Sequence, residues 1–188
     1  MKTIYRILMS IYLLTLLYTT ITNFHLNLIV SLLLLIPLYF IHDYLYQIEY
    51  IIYIYLTQVL GTTCHFYNLP FYDKVMHFLS GMVFVCMGYV FLQKYIPTKK
   101  ILYLMINCVE MSIAFLWEIF EYCGLILFNY DASHHYTTGV HDTMQDMIVS
   151  LIGGLIITYF IYKFPSYMCN LYRLPPNIPD EASPQQHT

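Results

Sequence analysis

The chain has 188 residues, of which 59% are hydrophobic and only 10% are charged, and its formal net charge is -3 at pH 7. Because a water-soluble globular domain carries about 25% charged residues, this composition excludes one, and a mean hydropathy of +0.60 indicates the lipid bilayer as the solvent. The eight Lys and Arg residues form no basic run, which excludes a nucleic-acid partner.

Six apolar stretches follow one another along the chain, each close to the 20 or so residues that a helix needs to cross a bilayer. The first follows Lys2 and Arg6 without a small-residue cleavage site, so we expect an uncleaved helix and not a signal peptide. The second is the shortest and contains Pro37. The predicted spans are Ile4–Ile21, Leu26–Ile41, Ile48–Cys64, Val75–Ile96, Ile101–Phe128 and Thr143–Phe164.

The sequence therefore predicts an all-α fold, a polytopic transmembrane bundle of about six helices. We expect residues 1–174 to form one transmembrane domain. Residues 175–188 are rich in Pro, Gln and Ser, and this composition predicts a disordered cytoplasmic tail.

The basic residues predict the orientation of the bundle. With six spans, both termini, the second–third loop and the fourth–fifth loop lie on one side of the membrane. That side holds all the Lys and Arg residues except Lys74, so the positive-inside rule places both termini in the cytoplasm. We expect a bacterial inner (plasma) membrane protein. The basic residues of the cytoplasmic side are Lys2, Arg6, Lys94, Lys99, Lys100, Lys163 and Arg173.

Three of the predicted helices each bring a pair of ionisable residues to the extracytoplasmic end of the bundle. Residues three or four apart share one face of a helix, so the two members of each pair point the same way. Small residues near these faces, Ser80 and Gly81 on one helix and Ser150 and Gly153 on another, predict close packing in lipid. The pairs are Asp73 with His77, Glu118 with Glu121, and Asp142 with Asp146.

Ionisable groups at membrane depth are costly and are functional candidates by default. One histidine with several carboxylates is a donor set that suits one divalent metal ion, namely zinc, manganese or iron. Two other interpretations remain open: some of the carboxylates share protons, or Asp73 and Asp142 simply stabilise helix starts. The predicted metal ligands are Asp73, His77, Asp142 and Asp146, and the predicted general bases are Glu118 and Glu121.

The order of the motifs resembles that of a known family. The motifs are Tyr72-Asp73-Lys74 followed by His77-Phe78 and Gly81, then Trp117-Glu118 followed by Glu121-Tyr122, then Asp142-Thr143 followed by Asp146 and Gly153-Gly154. This series resembles the YjdF-type family of bacterial inner-membrane proteins, whose function is unassigned, over about residues 60–160. The Asp-Lys-x-x-His element is also similar to that of VanZ-type membrane proteins. The resemblance implies a fold and a location, and it implies no activity.

The pattern leaves three classes of function open. One is a metal-dependent, membrane-embedded hydrolase or transferase that acts on lipid or lipid-linked substrates from the outer side. Another is binding or transport of a cation, a proton or a small solute, with Glu110 continuing the path inward. The third is a structural role, in which Glu110 is a neutral, hydrogen-bonded residue. The charges crowd one face and thin out toward the cytoplasm, which favours the enzyme.

Overall fold

The computed structural model describes residues 1–22, 27–40, 43–129 and 139–172. Within these ranges the chain is helical and contains no strand, so the predicted all-α fold is confirmed. The predicted tail, residues 175–188, lies outside the described residues. The helices are α1 (Lys2–Thr22), α2 (Asn27–Leu33), α3 (Ile36–Phe40), α4 (Tyr44–Ile54), a π-helix (Tyr55–Thr63), a 3-10 turn (Phe66–Asn68), α5 (Tyr72–Leu92), α6 (Lys99–Phe128), α7 (Val140–Lys163) and α8 (Pro165–Leu171).

Three helices of the described chain, α5, α6 and α7, are long and apolar enough to cross a membrane. They correspond to the last three predicted spans, with boundaries within four residues of those expected. Helix α1 covers the first predicted span, and α4 with the π-helix covers the third. The chain is therefore an integral membrane protein built as a helix bundle.

The second predicted span differs from a continuous helix. It is divided into α2 and α3 by a turn at Leu34 and Leu35, where the Leu35 amide bonds to the Leu32 carbonyl at 3.1 Å. Pro37 explains the break, because proline has no amide hydrogen and is tolerated only in the first turn of a helix, which is where it lies in α3.

The third span changes its helical geometry half-way. After Ile54 the α-helix widens into a nine-residue π-helix, whose end is marked by a bond of 2.8 Å from the Cys64 amide to the Val59 carbonyl. Gly61 is required here, because a Cβ at this position would overlap the ring of Tyr67. π-helices are rare, occur mostly as single turns within α-helices, and are frequent at functional sites. This one brings the buried side chains of Thr57 and Gln58 into the bundle.

Helices α5 and α7 pack backbone against backbone. A Cβ at Gly81 would overlap the carbonyl oxygen of Ser150, and a Cβ at Gly153 would overlap that of Phe78. A Cβ at Gly88 would lie 3.4 Å from Ile106 of α6, which is an ordinary van der Waals distance. The small-residue faces predicted from the sequence thus lie in contact, and α5 packs against both α6 and α7.

Candidate functional site

Lys74 lies among three carboxylates at the start of α5 and α7. Its Nζ is 2.6 Å from Asp142 Oδ1, 2.7 Å from Asp146 Oδ1 and 3.3 Å from Asp73 Oδ2. The first two bonds cross from α5 to α7 and tie the helix starts together. Asp73 and Asp142 therefore do more than face helix N-termini, since both pair with Lys74. In the sequence, Lys74 stands out only as a positive charge near the acidic residues. The feature that could have indicated its central position is that all other Lys and Arg residues lie on the opposite side of the predicted membrane.

Asp73, His77 and Asp146 form a compact group of metal-ligating side chains. One donor atom from each lies within 4.8 Å of the others. His77 Nε2 is 3.6 Å from Asp73 Oδ1 and 3.8 Å from Asp146 Oδ1. Donors about 2.1 Å from a tetrahedral ion are roughly 3.4 Å apart, so small side-chain shifts suffice for one ion. Asp142 lies outside this three-residue group and binds Lys74 instead.

Glu118, one of the two predicted general bases, has a buried side chain on α6. The side chain of Thr143 on α7 is its hydrogen-bonding neighbour, while neither carboxyl oxygen makes a close hydrogen bond among the described residues. Glu118 also interacts electrostatically with Asp73, Lys74 and Asp142 across the gap between α6 and the other two helices. A carboxyl group without a close hydrogen bond is suited to accept a proton.

Glu121, the other predicted base, is held by its own helix. The indole Nε1 of Trp117 donates to Glu121 Oε1 at 2.7 Å, one turn earlier on α6. Glu121 also interacts electrostatically with Glu118, Asp73 and Asp146. The structure therefore brings the carboxyl groups of α6 within electrostatic range of the α5–α7 group.

A cavity of about 240 Å³ borders this group. His77 and Ser80 form part of its wall on α5, and Trp117 forms part of it on α6. Burial raises the pKa of the Tyr67 hydroxyl, which also lines the cavity, so this group stays protonated and can donate a hydrogen bond. The rest of the wall is mainly apolar or aromatic: Leu34, Pro37, Tyr50, Tyr53, Thr57, Gln58, Met76, Phe84, Met87, Ile113 and Ala114.

A larger groove of about 650 Å³ lies toward the other end of the bundle, between α5, α7 and α8. Its wall is almost entirely apolar, and its one carboxylate, Glu49, accepts a hydrogen bond of 2.9 Å from Tyr172. None of the predicted site residues lines it. The chemistry is therefore concentrated at the smaller cavity.

A chain of polar side chains continues from the cavity into the bundle. Ser80 Oγ lies 2.6 Å from the His77 carbonyl oxygen and 3.1 Å from Ser150 Oγ. Ser150 Oγ in turn lies 2.6 Å from Glu110 Oε1. The sequence places Ser150 on the Asp142–Asp146 face of α7 and Ser80 near the Asp73–His77 face of α5. This placement predicts that the two faces pack together, but it does not predict the hydrogen bond between the serines.

The comparisons with known proteins agree with this architecture. The profile of the family described as Predicted membrane protein (DUF2238) matches residues 2–166. The chain belongs to this family. It is 27% identical over 97 residues to "Inner membrane protein YjdF" of Escherichia coli (strain K12), a match that covers 50% of this chain and 46% of the relative. The chain thus matches about half the length of that curated relative. No solved structure matches the chain.

Membership confirms the YjdF-type resemblance seen in the motifs, and with the apolar helices it confirms the inner-membrane location. The family description names no activity. The roles predicted for the site residues therefore stay predictions. His134 and His135 lie outside the described residues.

Proposed function

We propose that this protein is a metal-dependent hydrolase or transferase embedded in the membrane, acting on lipid or lipid-linked substrates. The observation that carries the proposal is the double position of His77. Its imidazole belongs to the three-residue donor group with Asp73 and Asp146, and it also forms part of the wall of the 240 Å³ cavity. A metal ion held there would lie at the edge of a mainly apolar chamber.

The charge of the group supports a divalent ion. Asp73, Asp142 and Asp146 surround the single ammonium of Lys74, so the four side chains in their ionised forms carry a net charge of minus two. A net charge in a low-dielectric site is costly unless it is compensated. One divalent cation bound by Asp73, His77 and Asp146 compensates it. Such an ion supplies Lewis-acid activation of an ester or phosphoryl group and of a nucleophilic water.

The cavity and Glu118 give the other parts of the proposed reaction. The aromatic and aliphatic wall suits the hydrocarbon part of a lipid, whose reactive head group would then lie beside His77. The buried carboxyl group of Glu118, beside Thr143, would take the proton from the attacking hydroxyl group. Glu121 accepts a hydrogen bond from Trp117, whose indole lines the cavity. We therefore assign Glu121 to positioning the indole and not to contact with the substrate.

The metal is tested by elemental analysis of detergent-purified protein for zinc, manganese and iron, before and after chelation. We expect about one equivalent of metal, lost in His77→Ala and Asp146→Asn. His141→Ala is the matched control, because His141 lies at the same end of α7 and is exposed. A preparation that neither carries nor takes up any of these metals, or a His77→Ala variant that keeps its metal, would contradict the proposed site.

The reaction is tested with lipids extracted from bacterial membranes and followed by mass spectrometry. We expect a metal-dependent conversion of one lipid class that is abolished in Glu118→Gln and retained in His141→Ala. Loss of conversion in Glu118→Gln with metal content unchanged supports the role of this carboxyl as a base. Metal binding without any conversion of lipid would remove the enzymatic part of the proposal.

Cation or proton transport is the second candidate, and one observation favours it. The polar side chains do not stop at the cluster but continue inward to Ser150, Glu110 and Asn107, whose amide Nδ2 donates to Thr158 Oγ1 at 2.8 Å. Proteoliposomes that contain a metal-sensitive or a pH-sensitive dye distinguish the two candidates. Uptake of metal ions or protons that depends on His77 and Glu110 favours transport. Liposomes that take up neither, while the protein in them hydrolyses lipid, favour the enzyme.

A further inference from the structure

The carboxyl group of Glu110 is buried at the contact of α6 and α7, with a residue exposure of 1%. Its Oε1 lies 2.6 Å from Ser150 Oγ, whereas its Oε2 has no hydrogen-bond partner among the described residues. No ion pair in the described part of the chain involves Glu110. A buried carboxylate without a cation is strongly disfavoured in a membrane. The carboxyl group therefore needs a proton or an ion.

The hydroxyl groups around Glu110 show which of these it has. Three oxygen–oxygen contacts link His77 O, Ser80 Oγ, Ser150 Oγ and Glu110 Oε1, at 2.6, 3.1 and 2.6 Å. Each contact needs one hydrogen, and the two serines supply only two. Tyr53, which also hydrogen-bonds to Ser80, adds one contact together with one hydrogen, so one hydrogen is still lacking. With a proton on Oε1, Glu110 donates to Ser150, Ser150 donates to Ser80, and Ser80 donates to the His77 carbonyl. All three contacts are then hydrogen bonds.

The second oxygen of Glu110 offers another place for the same proton. Glu110 Oε2 and Asn107 Oδ1 are both buried acceptors without a partner in the described chain. Both face Gly154, where a Cβ would lie 3.3 Å from Oε2 and 3.5 Å from Oδ1. The Asn107 amide is fixed in this orientation because its Nδ2 donates to Tyr103 O and Thr158 Oγ1, each at 2.8 Å. A proton on Oε2 would therefore lie on the side of Glu110 that carries the Asn107 Oδ1 acceptor.

We propose that Glu110 is a proton-binding site in the interior of the bundle and exchanges its proton with the cavity beside His77 through the hydroxyl groups of Ser150 and Ser80. In one transfer, Ser80, which lines the cavity, first turns its hydroxyl hydrogen from the His77 carbonyl to the cavity. Glu110 then gives its proton to Ser150 Oγ, Ser150 gives its own to Ser80 Oγ, and Ser80 gives its own to water or a basic group in the cavity. Glu110 is left as the carboxylate, and the reverse sequence reprotonates it. The proposal requires neither the metal nor a lipid substrate.

Infrared difference spectroscopy on chelator-treated protein in detergent tests the site. The spectrum of wild type minus Glu110→Gln should contain the carbonyl band of a neutral carboxylic acid at neutral pH. Ser150→Ala should shift this band, because Oε1 loses its partner. Gly154→Ala should also shift it, because a methyl group would lie against Oε2. Gly88→Ala, which adds a methyl group at an ordinary distance from Ile106, should leave it unchanged. A carboxylate band in place of the neutral one would overturn the proposal.

Transfer into D2O tests the route, because the band shifts when the acid proton exchanges. We expect exchange to be at least about tenfold slower in Ser150→Ala. This factor corresponds to an increase of about 1.4 kcal/mol in the activation free energy, close to the contribution of one hydrogen bond. Ser80→Ala should slow exchange as well, and it serves if Ser150→Ala fails to fold. Ser112→Ala is the control, since this serine is exposed on the same helix as Glu110. The route would be refuted if wild type showed no exchange, or if both serine variants exchanged as fast as wild type. Metal content is measured separately, so failure here and failure of the proposed enzyme are distinguishable.

Discussion

The Oδ1 atom of Asp146 lies 2.7 Å from the ammonium group of Lys74, and this contact joins the second turn of α7 to the first turn of α5. The same oxygen is 3.8 Å from His77 Nε2. Asp146 is almost fully buried, with 5% of its side chain exposed, so it cannot turn to water for compensation. One carboxylate oxygen thus serves both an internal cation, Lys74, and the proposed metal group.

The first prediction follows from this shared oxygen. In Lys74→Met the positive charge beside Asp73, Asp142 and Asp146 is lost, so the metal-free protein should be destabilised. Breaking a buried ion pair costs roughly 3–5 kcal/mol, and we expect less here because the Lys74 side chain is 23% exposed. Divalent metal should at the same time bind more tightly, since Lys74 no longer competes for Asp146. Thermal unfolding in detergent with and without metal measures both effects.

Lys163→Met is the matched control, because Lys163 is exposed at the other end of α7. It should change neither the unfolding temperature nor the metal affinity. A Lys74→Met protein that is as stable as wild type, or whose metal affinity falls, would show that Lys74 and the metal do not compete. Lys74→Arg separates charge from shape, since the charge is kept in a larger, planar group.

The second prediction concerns the contact of α5 with α7. Gly81→Ala should lower stability strongly, because the new methyl group would overlap the Ser150 carbonyl and force the helices apart. Overpacking a tight interior typically costs about 1–3 kcal/mol, and a clash with backbone cannot be relieved by a rotamer change. Gly88→Ala, at 3.4 Å from Ile106, should be tolerated. Thermal unfolding of the two variants gives the comparison, and equal stability would contradict the close approach.

Much of this architecture was predictable from the sequence because the bilayer leaves few choices. The last three spans were predicted within a few residues, since long apolar runs in lipid must be helical. The spacing of Asp73 to His77 and of Asp142 to Asp146 placed each pair on one face, and the structure has these faces opposite each other. Periodicity and helix alternation carry that information.

The sequence did not reveal the features that depend on three-dimensional packing. The π-helix at Tyr55–Thr63 has no distinct apolar period, and it was predicted as part of an ordinary span. The central position of Lys74 depends on the distance between two helix starts, which no spacing within one helix encodes. The link from Ser80 to Ser150 likewise crosses between helices.

The third prediction concerns Glu118. Glu118→Gln should raise the unfolding temperature of the protein, because it removes a buried charge that is repelled by Asp73 and Asp142, while the amide can keep the contact with Thr143. Groups kept for function are often unfavourable for stability. Glu121→Gln should have a smaller effect, since removing its charge relieves repulsion from Glu118 but also weakens the charge-assisted hydrogen bond from Trp117. A marked loss of stability in Glu118→Gln would indicate a structural role instead.

The fourth prediction concerns orientation, which decides from which side a substrate reaches the cluster. Helices α5, α6 and α7 alternate in direction, so Tyr72, Phe128 and Val140 lie at one end of the bundle, and Leu92, Lys99 and Lys163 at the other. Lys94, Lys99, Lys100 and Lys163 cluster near the second end, whereas Lys74 lies at the first within a group of carboxylates. The positive-inside rule therefore predicts that the second end is cytoplasmic and that the cluster opens outward.

Reporter insertions on both sides measure this orientation. An alkaline phosphatase insertion between Asp131 and Gly139 should be active, because that segment joins α6 to α7 at the predicted outer end. A fluorescent-protein fusion after Arg173 should fluoresce, because it would remain in the cytoplasm. Moving positive charge tests the cause: replacing Lys94, Lys99 and Lys100 with Gln should weaken the orientation, since short loops near the spans dominate the rule. Activity of phosphatase fused after Arg173 would invert the map, and the substrate would then have to reach the cluster from the cytoplasm.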